Sequence, residues 1–72
     1  MCYKITQEQR DRAKGGSNTP VWRSDDARVT HFLRADMRIA IRTQDAWEND
    51  VWHGPYSQTE ARRLAQDYVN DY

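Results

Sequence analysis

The sequence predicts an α+β fold in which a small antiparallel sheet of two or three strands packs against a C-terminal helix. Three observations lead to this fold class: strict alternation of apolar residues over 37–43, an apolar stripe at helical spacing over 61–72, and turn-forming residues between them. A chain of 72 residues has room for one small core. We divide it into a flexible N-terminal arm, residues 1–20, and a single α+β domain, residues 21–72.

The arm has only weak structural signals. Thr6 and Gln9 have the spacing of a capping box over a short helix that would end at the Gly15-Gly16 pair. Ala13 is the one apolar side chain in that helix, and a helix so polar is marginal on its own. The following Gly-Gly-Ser-Asn-Thr-Pro stretch predicts a flexible loop. We therefore expect the arm to be loosely ordered in the free protein.

The middle of the chain predicts the strands. In the segment 37–43, Ile39 and Ile41 alternate with Arg38 and Arg42, as in a strand buried on one face. The stretch 51–53 predicts a returning strand that Gly-Pro closes. The segment 27–34 fits either a helix capped by a serine or a strand, and its Val, Thr, His and Phe residues favour the strand.

The C-terminal segment predicts a helix. Ser57 and Glu60 form a second capping-box pattern, and Pro55 prevents the helix from beginning earlier. One apolar stripe follows at helical spacing and should face the sheet. Its members are Ala61, Leu64, Ala65, Tyr68, Val69 and Tyr72.

Aromatic residues and arginines are unusually frequent for so short a chain. Three Trp, four Tyr and nine Arg stand beside only two Lys. Trp, Tyr and Arg are the residue types enriched at interface hot spots. Since a small core cannot hold every ring, we expect Trp52 or Trp47 to anchor the core and Trp22 to remain partly exposed in a loop.

Reactive side chains are few and scattered. Cys2 is the single cysteine, so no internal disulfide can form, and it is interpreted as an incidental thiol. Cys2, His31 and His53 lack the paired spacing of a zinc site. No serine or threonine lies in a recognisable nucleophile motif. We therefore expect a protein that is not an enzyme and that carries neither a metal nor a cofactor.

Charge is balanced overall and uneven along the chain. Eleven basic and eleven acidic residues give a net charge of zero, yet residues 1–24 carry +3 and residues 44–72 carry −4. Either this asymmetry indicates a charged partner, or folding brings the two halves together and cancels it. The zero net charge favours a protein over a nucleic acid as the partner. No apolar run predicts a membrane span, and the first residues do not resemble a signal peptide. We expect a cytoplasmic monomer.

The candidate partner-binding residues form two groups. The arm and the loop after it supply the first group, and the sheet face opposite the isoleucines supplies the second, where guanidinium forks suit carboxylate or phosphate. The candidates are Arg10, Arg12, Lys14, Trp22, Arg23, Arg38 and Arg42. The hypothesis competing with a protein-binding module is a nucleic-acid binder that uses the same basic face with aromatic stacking.

The segment WHGPYSQTEA, from Trp52 to Ala61, resembles a strand–Gly-Pro-aromatic–helix element of many short phage and bacterial proteins. With the small size, the arginine excess and the basic arm, the chain resembles phage-encoded host-takeover proteins, in particular small inhibitors of bacterial RNA polymerase. The resemblance implies a protein that binds the host enzyme in the host cytoplasm and displaces a factor or blocks a channel. Anti-CRISPR or anti-restriction action is an alternative of the same kind. These proteins share a role rather than a motif, so the resemblance assigns no residue.

Overall fold

The computed structural model describes residues 3–70 and contains four strands and two helices in that range. The elements are α1 (Gln7–Lys14), β1 (Thr19–Arg23), β2 (Val29–Leu33), β3 (Ile39–Gln44), β4 (Asp50–Tyr56) and α2 (Gln58–Asn70). The strands form one antiparallel sheet in the order β1-β2-β3-β4. The α+β class is confirmed, as is the C-terminal helix against the sheet. The sheet has four strands, whereas two or three were predicted.

The additional strand, β1, begins inside the stretch predicted as a loop. Its register with β2 shifts between Pro20 and Trp22, so that Thr19 and Trp22 both face the core while Val21 forms a bulge. A bulge shifts the two-residue alternation by one position, which hides the strand from a search for that pattern. Pro20 is tolerated because β1 lies at the edge of the sheet.

The segment 27–34 contains a strand, as favoured from its residues. Val29, His31 and Leu33 of β2 are buried, and so are Ile39 and Ile41 of β3. This confirms the predicted alternation of β3. Because facing residues of β2 and β3 pair in register, the five side chains lie on one face of the sheet.

All three hairpin turns use an aspartate in the same way. Asp26, Asp36 and Asp45 each accept a hydrogen bond from the backbone N–H two residues later, at distances of 3.1, 3.0 and 2.8 Å. Such bonds are typical of Asx turns. In the first two turns the residue after the aspartate, Ala27 or Met37, has a positive φ of 61° or 65°. That conformation is the one a type I turn with a G1 bulge requires.

The N-terminal residues take part in the core. Tyr3, Ile5 and Ala13 are buried in the same cluster as Trp22 and Leu33. The predicted capping box is present, since Gln9 N donates to Thr6 Oγ1 at 3.2 Å and Thr6 N donates to Gln9 Oε1 at 2.9 Å. The core therefore shows no break at residue 20, where we drew the boundary of the arm. Cys2 lies outside the described residues.

Helix α2 contacts the core through small side chains. Ala61 and Ala65 are fully buried and Tyr68 is half-buried, whereas Leu64 and Val69 are 38% and 41% exposed. The predicted stripe is therefore wider than the buried face, because two alanines are enough to bring the helix onto the sheet. Tyr72, the last member of the predicted stripe, lies outside the described residues.

The tryptophans are distributed in the opposite way to our expectation. Trp22 is buried, with its ring 4.9 Å from that of His31 and 6.0 Å from that of Tyr3. Trp47 is 81% exposed and Trp52 is 54% exposed. The prediction that one of the latter two anchors the core is wrong. The reason is twofold. Tyr3 occupies part of the core volume, and Trp52 pairs with Arg42 in the sheet register, which turns its ring away from the helices.

Candidate binding face of the sheet

One face of the sheet is covered by the helices, and we call the other the open face. The strand register places one row of four side chains across all four strands of it: Arg23, Thr30, Arg42 and Trp52. The next row contains Pro20, Phe32 and Ala40. Residues of one face alternate with residues of the other along each strand, which separates these side chains from those on the covered face.

Aromatic rings form the centre of the open face. The rings of Phe32 and Trp52 lie 5.5 Å apart between centroids and are tilted by 42°. The guanidinium carbon of Arg42 lies 5.4 Å from the centroid of the Phe32 ring, in the range of a cation–π contact. The three side chains thus support one another and present a surface that is both aromatic and cationic.

A groove of about 490 Å³ lies beside this cluster. Thr30 lies between Arg23 and Arg42 in the cross-strand row, and all three residues line the groove together with Phe32. The Nε–H of Arg42 is buried and has no hydrogen-bond partner. A buried donor without an acceptor is costly, and a ligand from outside the chain would have to displace neighbouring atoms to reach it.

The guanidinium groups of the groove are not neutralised by a carboxylate of the described residues, in contrast to those of Arg12 and Arg34. Arg12 pairs with Glu8 at 3.1 Å, and Arg34 pairs with Asp36 at 3.2 Å. Within residues 3–70, neither Arg23 nor Arg42 forms an ion pair. Their positive charge therefore remains available at the groove.

The structure brings together only part of the predicted binding residues. Arg23 and Arg42 share the open face, and Arg38 precedes β3 with the same alternation, near the β2–β3 turn. Arg10, Arg12 and Lys14 belong to α1, which packs on the opposite face through Ala13. Trp22 is a core residue, so its assignment as an exposed contact is corrected, although it also lines the groove. The two predicted groups therefore do not form one surface.

Three residues of the open face were missed from the sequence. Thr30 and Phe32 alternate with Val29, His31 and Leu33, so placing the latter on the core face already assigns the former to the other face. Trp52 could be placed only with the register of β4, which a bulge between Ile39 and Ile41 shifts.

The histidines do not assemble a complete catalytic triad in the described part of the chain. His31 is buried, its Nδ1 lies 2.9 Å from the Tyr3 hydroxyl, and burial lowers its pKa to about 4. Burial also raises the pKa of Tyr3 to about 12. His53 Nε2 lies 3.0 Å from Thr43 Oγ1, but among residues 3–70 no carboxylate hydrogen-bonds to His53 to orient it. The same residues contain no cluster of three or more potential metal ligands.

A second exposed indole lies in the β3–β4 loop. The Asp45 carboxylate accepts hydrogen bonds from Asn49 N at 2.9 Å, Trp47 N at 2.8 Å and Asn49 Nδ2 at 3.3 Å. The bond from Asn49 N is the main cause of the lowered pKa of this carboxyl. The loop therefore presents Trp47 on an internally hydrogen-bonded backbone.

Within residues 3–70 neither helix combines the length and the apolar character needed to cross a bilayer. Searches against protein-family models, curated proteins and solved structures gave no significant match to this chain.

Proposed function

We propose that this chain is a small, non-catalytic binding protein that docks on a larger protein through its open face. The observation that carries the proposal is the cross-strand row of Arg23, Thr30, Arg42 and Trp52 with the neighbouring Phe32 ring. Large aromatic and arginine side chains supply most of the affinity at protein interfaces. Here they project from strands rather than loops, so little conformational entropy is lost on binding.

As the partner we propose a host nucleic-acid enzyme, with bacterial RNA polymerase first. The support is the resemblance of the chain to phage-encoded inhibitors, together with a cationic face suited to an acidic protein surface. In this proposal the protein is phage-encoded, acts in the host cytoplasm, and inhibits transcription by blocking a channel or displacing a factor.

The test is direct binding to purified bacterial RNA polymerase, measured by biolayer interferometry, with run-off transcription as the functional measurement. Trp52→Ala and Arg42→Gln should each weaken binding and inhibition by at least about tenfold if they are hot spots. The matched control is Arg63→Gln on the exposed side of α2, which should change affinity by less than about twofold. If the protein does not bind the polymerase, the proposed partner is wrong. If both open-face variants bind it as tightly as the wild type, the proposed binding face is wrong.

A second candidate is a single-stranded nucleic-acid binder, which the Phe32–Trp52 ring pair beside Arg42 favours. It predicts tight binding of a labelled oligothymidylate with steep salt dependence. The zero net charge of the chain weighs against it. Anti-CRISPR or anti-restriction action would use the same open face against a nuclease instead of the polymerase. The polymerase-binding measurement distinguishes these alternatives.

A further inference from the structure

The groove of the open face has the chemistry of an anion site. Two arginines flank Thr30 in one cross-strand row, which places their backbones two strands apart, about 10 Å at the usual strand spacing. Thr30 itself is buried, and its side chain is shorter than the arginine side chains on either side of it. An anion above Thr30 would lie within reach of both guanidinium groups.

We infer that this groove is a seat for one carboxylate of the partner, an Asp or Glu side chain next to an apolar residue. The inference rests on the proposed protein-docking function and names the group that is recognised. The Arg42 guanidinium forms no ion pair within residues 3–70, and a carboxylate supplies two oxygens in one plane to such a group. Phe32 and Pro20 line the groove beside the arginines and would contact the adjacent apolar residue.

A single anion fits the charge of this face better than a chain of phosphates. Asp50 pairs in register with Gln44, one row beyond Arg42 and Trp52 on the same face, and Gln44 Nε2 donates to its carboxylate at 3.0 Å. On the other side, Arg34 is neutralised by Asp36. A polyanion running along the strands would meet this carboxylate beyond the groove, whereas one carboxylate would not. The guanidinium of Arg42 also lies against Phe32, which leaves less of that ring free for a nucleobase.

The experiment is an NMR titration of the whole ¹⁵N-labelled protein with sodium phenylacetate, a carboxylate next to an apolar ring. We expect saturable chemical-shift changes at the Arg42 Nε–Hε signal and at the amides of Arg23 and Thr30. The Kd should be about 1 mM, as for a small ligand with few contacts. The uncharged isostere phenylacetamide should bind at least about tenfold more weakly, because it lacks the charge-assisted hydrogen bonds.

Variants distinguish the contribution of the planar guanidinium donors from that of positive charge alone. Arg42→Lys keeps the charge but loses the planar pair of donors, and should weaken phenylacetate binding at least about fivefold. Arg63→Lys on α2 is the matched control and should leave the affinity unchanged. The backbone spectrum of each variant verifies that it is folded.

The result that would overturn the carboxylate seat is equal binding of phenylacetate and phenylacetamide, or equal binding by the wild type and Arg42→Lys. Tighter binding of inorganic phosphate or of oligothymidylate than of phenylacetate would also overturn it, the latter in favour of nucleic acid. The titration uses no polymerase, so its outcome is separate from that of the proposed function. Phenylacetate binding without polymerase binding refutes only the partner, and polymerase binding without phenylacetate binding refutes only the seat.

Discussion

His31 shows how a titratable residue can serve the core of so small a protein. Its ring meets those of Trp22 and Tyr3 edge to face, and its Nδ1 shares a hydrogen bond with the Tyr3 hydroxyl. The guanidinium carbon of Arg62 lies over the Tyr3 ring, 5.6 Å from its centroid. Because water is excluded, the neutral imidazole is strongly favoured and the pKa falls to about 4.

This lowered pKa predicts a pH-dependent stability. As the pH falls below the ordinary histidine pKa of 6.5, His31 becomes protonated in the unfolded chain. In the folded chain it stays neutral until the pH reaches about 4. The free energy of unfolding should therefore decrease as the pH is lowered through this window, and His31 should account for up to about 3 kcal/mol of the decrease. Urea unfolding followed by tryptophan fluorescence at about pH 7 and about pH 4.5 measures the fall.

The variant His31→Phe isolates the contribution. It should be less stable than the wild type at neutral pH, by about 1–2 kcal/mol, because the Tyr3 hydroxyl loses its partner. Its disadvantage should shrink or vanish as the pH falls. His53→Gln on the exposed edge strand is the control and should keep the pH dependence. An undiminished pH dependence in His31→Phe would contradict the assignment.

At the scale of elements, α1 depends on its ends more than on its length. The helix has eight residues and buries only Ala13 among them, so the capping box contributes a large share of its stability. Thr6→Ala removes the hydroxyl that accepts from Gln9 N and should lower the free energy of unfolding by about 1 kcal/mol. Helical signal by circular dichroism during urea unfolding measures the loss.

The control for the cap is Thr59→Ala, which changes the same residue type in the first turn of α2. Thr59 is exposed, so its replacement should alter stability by less than about 0.5 kcal/mol. Equal effects of the two substitutions would show that the capping box does not stabilise α1.

The elements that sequence patterns could predict are those with an undisturbed period. β3 alternates strictly, and α1 and α2 are preceded by the capping residues Thr6 and Ser57, whose hydroxyls accept from Gln9 N and Glu60 N. β1 could not be predicted, because a proline and a bulge interrupt its alternation. The same limit applied to the open face: Arg42 followed from alternation alone, whereas Arg23 and Trp52 joined it only through pairings between strands.

At the scale of the whole molecule, the sheet ends at both sides in a strand that carries a proline. Pro20 lies in β1 and Pro55 in β4, the two edge strands. Proline has no N–H to donate, so it disfavours the addition of a further strand at an edge. The exposed apolar side chains, such as Trp47 and Leu64, are spread over a loop, a strand and a helix.

We therefore predict a monomer at micromolar concentration. Size-exclusion chromatography with light scattering should give a mass close to 8.6 kDa. A value of twice that mass, persisting on dilution, would contradict the prediction and would point to pairing of edge strands or of the open faces. Repeating the measurement with Trp52→Ala distinguishes the two, since only open-face association should be lost.

The one-sided placement of the helices has a practical consequence. Tyr3 and α2 both pack on the covered face, so the first and last described residues, 3 and 70, belong to the side away from the arginine row. A tag, a carrier domain or a solid support attached through either end would thus leave the cationic, aromatic surface pointing outward. The molecule can be displayed or immobilised without hiding the surface that is to be assayed.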